Sequence, residues 1–147
     1  MCFFKIAATV IFLSVVFILP ADAQDNEGYQ AMAKALRNVI QENFDGYKEE
    51  DIAKIMTTVH TQSPGYLATK QISNEIFPPY ELNYELINFK YLVRDGDYAL
   101  ARIKQKTSKI AGPAFKNNII DAVAVFRQED GQWKFWSQVI LEIDYIN

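Results

Sequence analysis

Apolar residues recur at Tyr29, Met32, Ala33, Leu36, Ile40 and Phe44, one stripe at helical spacing that stops before Gly46. The spacing predicts an amphipathic first helix. The acids of Lys48-Glu49-Glu50-Asp51 then fall where the first turn of a second helix would suit them electrostatically, and Ile52, Ile55, Met56 and Val59 form its apolar face. Pro64 makes continuation unfavourable, a third helix is expected from Tyr66 to Phe77, and Pro78-Pro79 stops it. Beyond the prolines the texture changes to β-rich runs. ELNYELINFKYLVR and DYALARIKQKTSKI are joined by the turn Arg94-Asp95-Gly96-Asp97, and KNNIIDAVAVFRQ and WKFWSQVILEIDYIN by Glu129-Asp130-Gly131-Gln132. A loop around Ala111-Gly112-Pro113 links the two hairpins. Three helices followed by a four-stranded antiparallel meander predict an α+β domain with the helices on one face of the sheet.

The first residues do not belong to that pattern. MCFFKIAATVIFLSVVFILPADAQ has one early charge, Lys5, an apolar run from Ile6 to Leu19, and the small-x-small triplet Ala21-Asp22-Ala23. This reads as a secretory signal peptide over residues 1–23, since the apolar run is shorter than the ~20 residues of a spanning helix. The expected destination is secreted or periplasmic, with no membrane span after cleavage and one domain over residues 24–147.

Composition narrows the chemistry. The single cysteine, Cys2, lies in the leader, so the remaining chain has no disulfide, thiolate metal site or cysteine nucleophile. It must hold together by packing, for which the 6 Phe that follow the leader, with the 8 Tyr and 2 Trp, are suited. Removing Lys5 and Asp22 with the leader leaves the net charge at -3, which argues against nucleic acid or anionic lipid as a partner. One histidine and scattered carboxylates give no metal-ligand spacing, and neither a phosphate-binding glycine loop nor a Gly-x-Ser-x-Gly elbow is present. No metal or cofactor is expected.

The order of elements, with VHTQSPGY after the second helix, DGDYALARIKQKT in the first hairpin and FKNNIIDAVAVFRQEDGQWKFWSQVI in the second, resembles the nuclear transport factor 2-like superfamily. The similarity is to its small SnoaL-like and association-domain-like bacterial members. It implies a cone-shaped domain, with three N-terminal helices on a curved antiparallel sheet of four or more strands. It also implies a pocket on the concave side and a homodimer through the outer sheet face. The superfamily includes ketosteroid isomerase, polyketide cyclases, scytalone dehydratase and limonene epoxide hydrolase, together with pocket domains without chemistry. Function therefore has to come from the site.

Isomerase-type members carry a carboxylate base beside the proline after the second helix, where this chain has Ser63 before Pro64. A serine hydroxyl has no usable pKa for abstracting a proton next to a carbonyl. Asp121 lies near the position of an oxyanion aspartate in such relatives, or is a strand carboxylate facing solvent; one residue of register separates the two. His60 is either a base, polarised with Asp121, Tyr66 or Tyr84, or a polar residue closing a helix C-terminus. Gln105 alternates with Ala99, Ala101 and Ile103 and so faces into the cone, where Asn118 could join it. Arg102, Lys104 and Lys106 take the opposite parity, and Trp136 faces away from Trp133 and Phe135. The leading expectation is binding of a small apolar or amphipathic molecule, or assembly, with His60, Tyr66, Tyr84, Gln105 and Asn118 at the mouth. The alternative is an isomerase, cyclase or dehydratase using His60 and Asp121. A third reading is an assembly module whose own aromatics fill the pocket.

Overall fold

A computed structural model describes residues 21–146 of the protein, with side chains from residue 26 onward. The expected leader lies outside the described residues apart from its last three positions. Helix α1 spans Ala21–Lys48, α2 Ile52–Thr57 and α3 Tyr66–Ile76; strands follow at β1 Glu81–Asp95, β2 Tyr98–Ala111, β3 Asn118–Glu129 and β4 Gln132–Tyr145. The strands form one antiparallel sheet in the order β1-β2-β3-β4. The architecture is the α+β meander that the sequence pattern predicts. No helix among the described residues is long and apolar enough to cross a membrane.

The core lies between α1 and the inner face of the sheet. Leu36, Ile40 and Phe44 of the helical stripe are buried against Leu82 and Tyr84 of β1, Ala99, Ala101 and Ile103 of β2, and Ala122, Ala124 and Phe126 of β3. Four alanines at the centre of that face leave room for the larger side chains of α1, and full burial of Leu36 or Ile40 is worth about 1.5–3 kcal/mol each.

Helix α1 continues past the end expected at Gly46. A Cβ on Gly46 would sit 2.8 Å from Ile55 Cγ1 and 3.0 Å from the Ile55 backbone nitrogen, so the glycine lets α2 pack directly on α1. The acids expected in the first turn of α2 instead form the connector before it. Asp51 is its N-cap, with Oδ1 accepting the Lys54 N–H at 3.0 Å, and Glu49 pairs with Lys54 Nζ at 2.8 Å. Glu50 holds a positive φ of 55° to make the reversal.

Both predicted hairpin turns form. In the second, Asp130 and Gly131 have φ of 52° and 76°, the left-handed pair that a two-residue hairpin requires. In the loop between hairpins Gly112 has φ 112°, and a Cβ there would collide with the Pro79 carbonyl oxygen. Register shifts in β1 around Ile87 and Leu92, and in β4 around Trp136 and Leu141, mark bulges that bend the outer strands about the helices.

The segment after α2 closes one end of the sheet. Val59 makes a parallel bridge to Phe135, with the His60 N–H donating to the Phe135 carbonyl at 2.9 Å and the Phe135 N–H to the Thr58 carbonyl at 2.8 Å. Beyond Trp136 the edge of β4 runs on with Val139, Ile140, Leu141 and Ile143 exposed.

Candidate functional site: a neutral cavity beside the α2–α3 connector

A cavity of about 200 Å³ opens where the end of α1, the α2–α3 connector, the start of α3, β2 and β4 converge. Phe44, Val59, Ile103 and Phe135 supply its apolar wall, and Asn43, Tyr47, Ser63, Gln105 and Gln138 are among its polar lining. Among the described residues, none with a carboxylate, imidazole, ammonium or guanidinium group lines it.

Asn43 lies on the buried stripe of α1, three residues after Ile40 and one before Phe44, and is 8% exposed. Its Nδ2 donates to Thr58 Oγ1 at 2.8 Å, while that hydroxyl donates its own proton to the Ile55 carbonyl at 2.6 Å. Thr58 Oγ1 can therefore only accept from Asn43, which fixes the amide orientation. Asn43 Oδ1 takes no hydrogen bond among the described residues.

Gln105 projects to the inner face, as its parity predicts, and its Nε2 donates to Thr107 Oγ1 at a long 3.3 Å. The Tyr47 phenol is pushed up by burial, offset in part by a hydrogen bond with Ser73. Tyr84 stands beside it, ring centroids 5.1 Å apart, with its phenol pushed up to about 12, mainly by burial. Both stay neutral at any physiological pH. Tyr84 is buried in the core and does not reach the cavity wall.

Ser63 does line the cavity, and its hydroxyl is fully engaged. Oγ donates to the Trp136 carbonyl at 2.7 Å and accepts the Gly65 N–H at 3.0 Å, stapling the connector to β4. Of α3, Thr69 reaches the wall whereas Tyr66 does not.

The structure places His60 beside the cavity, turned toward the β3–β4 hairpin. Its side chain is 5% exposed and packs edge-to-face on Trp136 with centroids 5.0 Å apart. Nδ1 accepts the Gln62 N–H at 3.1 Å and lies 3.5 Å from Glu129 Oε1, so the neutral ring carries its proton on Nε2. Glu129 accepts from Lys134 Nζ at 2.6 Å, and from both the backbone N–H and the hydroxyl of Thr61. These contacts, with the Lys134 ammonium foremost, hold its carboxyl down to about 2.

Asp121 lies on the opposite face of the sheet from the cavity. It pairs in register with Lys104, accepts Arg102 Nε at 2.9 Å and Arg102 Nη2 at 2.8 Å, and is held below the usual carboxylate range mainly by that guanidinium. Asn118 sits at the distal start of β3, where its Nδ2 donates to the Lys116 carbonyl at 3.1 Å and its buried Oδ1 has no partner among the described residues. Of the residues proposed from sequence, the cavity thus gathers Gln105 alone. Asn43, Tyr47 and Gln138 join it there. Among the described residues no cluster of histidine, cysteine or carboxylate side chains is arranged to hold a metal.

The shape of the domain recurs among solved structures. A protein described as a scytalone dehydratase from Novosphingobium aromaticivorans superposes with a TM-score of 0.67 at 12% identity, over 83% of this chain and 92% of that one. A protein described as a dehydratase of the NTF2-like family from Streptomyces avermitilis gives 0.58 at 16% identity, over 74% and 94%. A type 2 hexachlorocyclohexane dehydrochlorinase, LinA, gives 0.52 at 15%, over 85% and 93%. At these identities the likeness is one of fold. No curated protein matches the sequence. Residues 38–146, from the middle of α1 to the end of β4, match the family described as the C-terminal domain of anti-sigma-I factor RsgI9. With the NTF2-like fold and this match over most of its length, the chain belongs to the family of the anti-sigma-I factor RsgI9 C-terminal domain.

Proposed function

We propose that this domain is a secreted or periplasmic binding module that takes a small molecule into the cavity beside the α2–α3 connector without transforming it. The observation that carries the reading is the composition of the cavity wall, which among the described residues brings no carboxylate, imidazole or amine to the bound molecule and, as its ionisable group, only the Tyr47 phenol that burial keeps protonated. Ser63 occupies the place where isomerase-like relatives carry their base, and its proton is committed to the Trp136 carbonyl. Asp121 and His60, the pair that a dehydratase-like mechanism would need, are on the opposite sheet face and in the Glu129 network respectively. In a family named for an anti-sigma-I factor, a module of this kind suits sensing of the molecule rather than its turnover. The leader-like residues 1–23 support export.

Native mass spectrometry of the purified protein tests the reading. Retention of a molecule, or uptake from a panel of neutral metabolites, is the expected result; a bare protein mass across the whole panel contradicts it.

The same reading includes a homodimer through the outer sheet face. That face carries Arg102, Lys104 and Lys106 on β2, Val123 and Val125 on β3, and Val139 on β4, which is 56% exposed. An apolar band flanked by charge suits a symmetric pairing of two copies.

A further inference from the structure

The geometry points to an uncharged ligand for this cavity: a small ring compound that donates a hydrogen bond to Asn43 Oδ1 and lays its apolar side against Phe44, Ile103 and Phe135. The inference rests on the binding reading above and adds the chemical class of the molecule bound. Three observations carry it.

The first is charge. Among the described residues, Tyr47 is the single ionisable side chain in the lining. A carboxylate, phosphate or ammonium entering the cavity would give up its hydration and meet no opposite charge, at a cost of several kcal/mol after relaxation. A neutral molecule does not face that penalty.

The second is hydrogen bonding. Asn43 is 8% exposed, its Nδ2 is committed to Thr58, and Oδ1 is left as an acceptor without a partner among the described residues. Oδ1 is not sealed from solvent, so a hydroxyl or N–H on the ligand can reach it and donate to it. Gln105, held through one long bond, and Gln138, exposed at the rim, add amides able both to donate and to accept. A hydrocarbon would leave Asn43 Oδ1 without a donor.

The third is shape. A cavity of about 200 Å³ has the room of about seven waters at ~30 Å³ each, enough for one ring with a polar substituent. Its apolar wall offers the rings of Phe44 and Phe135 and the side chain of Ile103 to that ring.

Four probes that share one ring separate these features: benzyl alcohol, benzoate, benzylamine and toluene, titrated at neutral pH into the ¹⁵N-labelled protein and followed by NMR. Benzyl alcohol is expected to shift the Asn43 and Gln105 side-chain amides saturably, and to bind at least tenfold more tightly than benzoate or benzylammonium and several-fold more tightly than toluene. Asn43→Leu should erase the advantage of benzyl alcohol over toluene. Should that variant fail to fold, Gln105→Leu should reduce the same advantage at a half-buried site. Benzoate or benzylammonium binding in the cavity as tightly as the alcohol overturns the neutral class while leaving the binding reading intact. Toluene matching the alcohol overturns the hydrogen-bonding role of Asn43. Silence from all four probes overturns the class and the binding reading together.

Discussion

Glu129 ties the β3–β4 hairpin to the α2–α3 connector, through Lys134 across its own turn and through Thr61 and His60 in the connector. Its carboxyl is held at about 2, below the ordinary 4.5, so the native state favours the ionised form. The stabilisation is therefore complete above about pH 4.5 and is lost as pH falls from there through about 2. Glu129→Gln should lower the thermal midpoint at pH 7, and the gap to the parent protein should close on acidification to pH 2. Thermal unfolding at a series of pH values checks this, and a gap that stays constant with pH contradicts it. Asp121 gives a second residue-level test. Because it pairs with Arg102 on the outer face, Asp121→Asn should weaken the fold while changing the affinity for benzyl alcohol by less than about twofold. A dehydratase-like role would instead make that substitution felt in the cavity. At this scale the site was legible only in part. The parity of Gln105 is visible in a strand that alternates with period two, whereas His60 turns away because a connector has no period from which its direction can be read. Asn43 did leave a signal, a polar residue on an apolar helical stripe, since Leu36, Ile40, Asn43, Phe44 and Tyr47 share one face.

At the level of elements, two glycines in α1 carry opposite expectations. A Cβ on Gly28 would meet nothing within 4 Å, so Gly28→Ala should stabilise the protein by roughly 0.5–1 kcal/mol through helix propensity. Gly46→Ala gains the same propensity but drives a methyl into Ile55, and should cost about 1–3 kcal/mol net. Urea denaturation of both variants decides the matter. Two stabilising alanines would mean that α1 and α2 do not meet at Gly46. The contrast also shows why α1 outruns its predicted end. A glycine after an apolar stripe reads as a stop, and only the neighbouring helix reveals it as a contact surface. Turn chemistry was more legible, because the positive φ required at Asp130 and Gly131 is a local demand that Asp-Gly meets on its own. The acids before α2 fall ahead of the helix rather than in its first turn, a difference hard to see in sequence because capping by Asp51 and dipole stabilisation draw on the same residue types.

For the molecule as a whole, the order of helices and strands was readable because each element is marked by its own period and the turns between strands are short. The cavity was not, since its wall is assembled from five separate segments whose side chains meet only after folding. The outer sheet face offers a prediction at this scale. The protein should show a dimeric mass in light scattering at micromolar concentration, and Val139→Asp should make it monomeric while leaving ligand binding intact. A monomeric mass for the parent protein would remove the dimer from the account. The claim on which the rest depends is that the cavity beside the α2–α3 connector is open to a small neutral molecule. Intermolecular nuclear Overhauser effects between bound benzyl alcohol and the protein test it most directly. Contacts are expected from the ring protons to the methyl groups of Ile103 and Val59, both of which line the cavity. Contacts confined to the exposed edge of β4, or none at any attainable concentration, would contradict it.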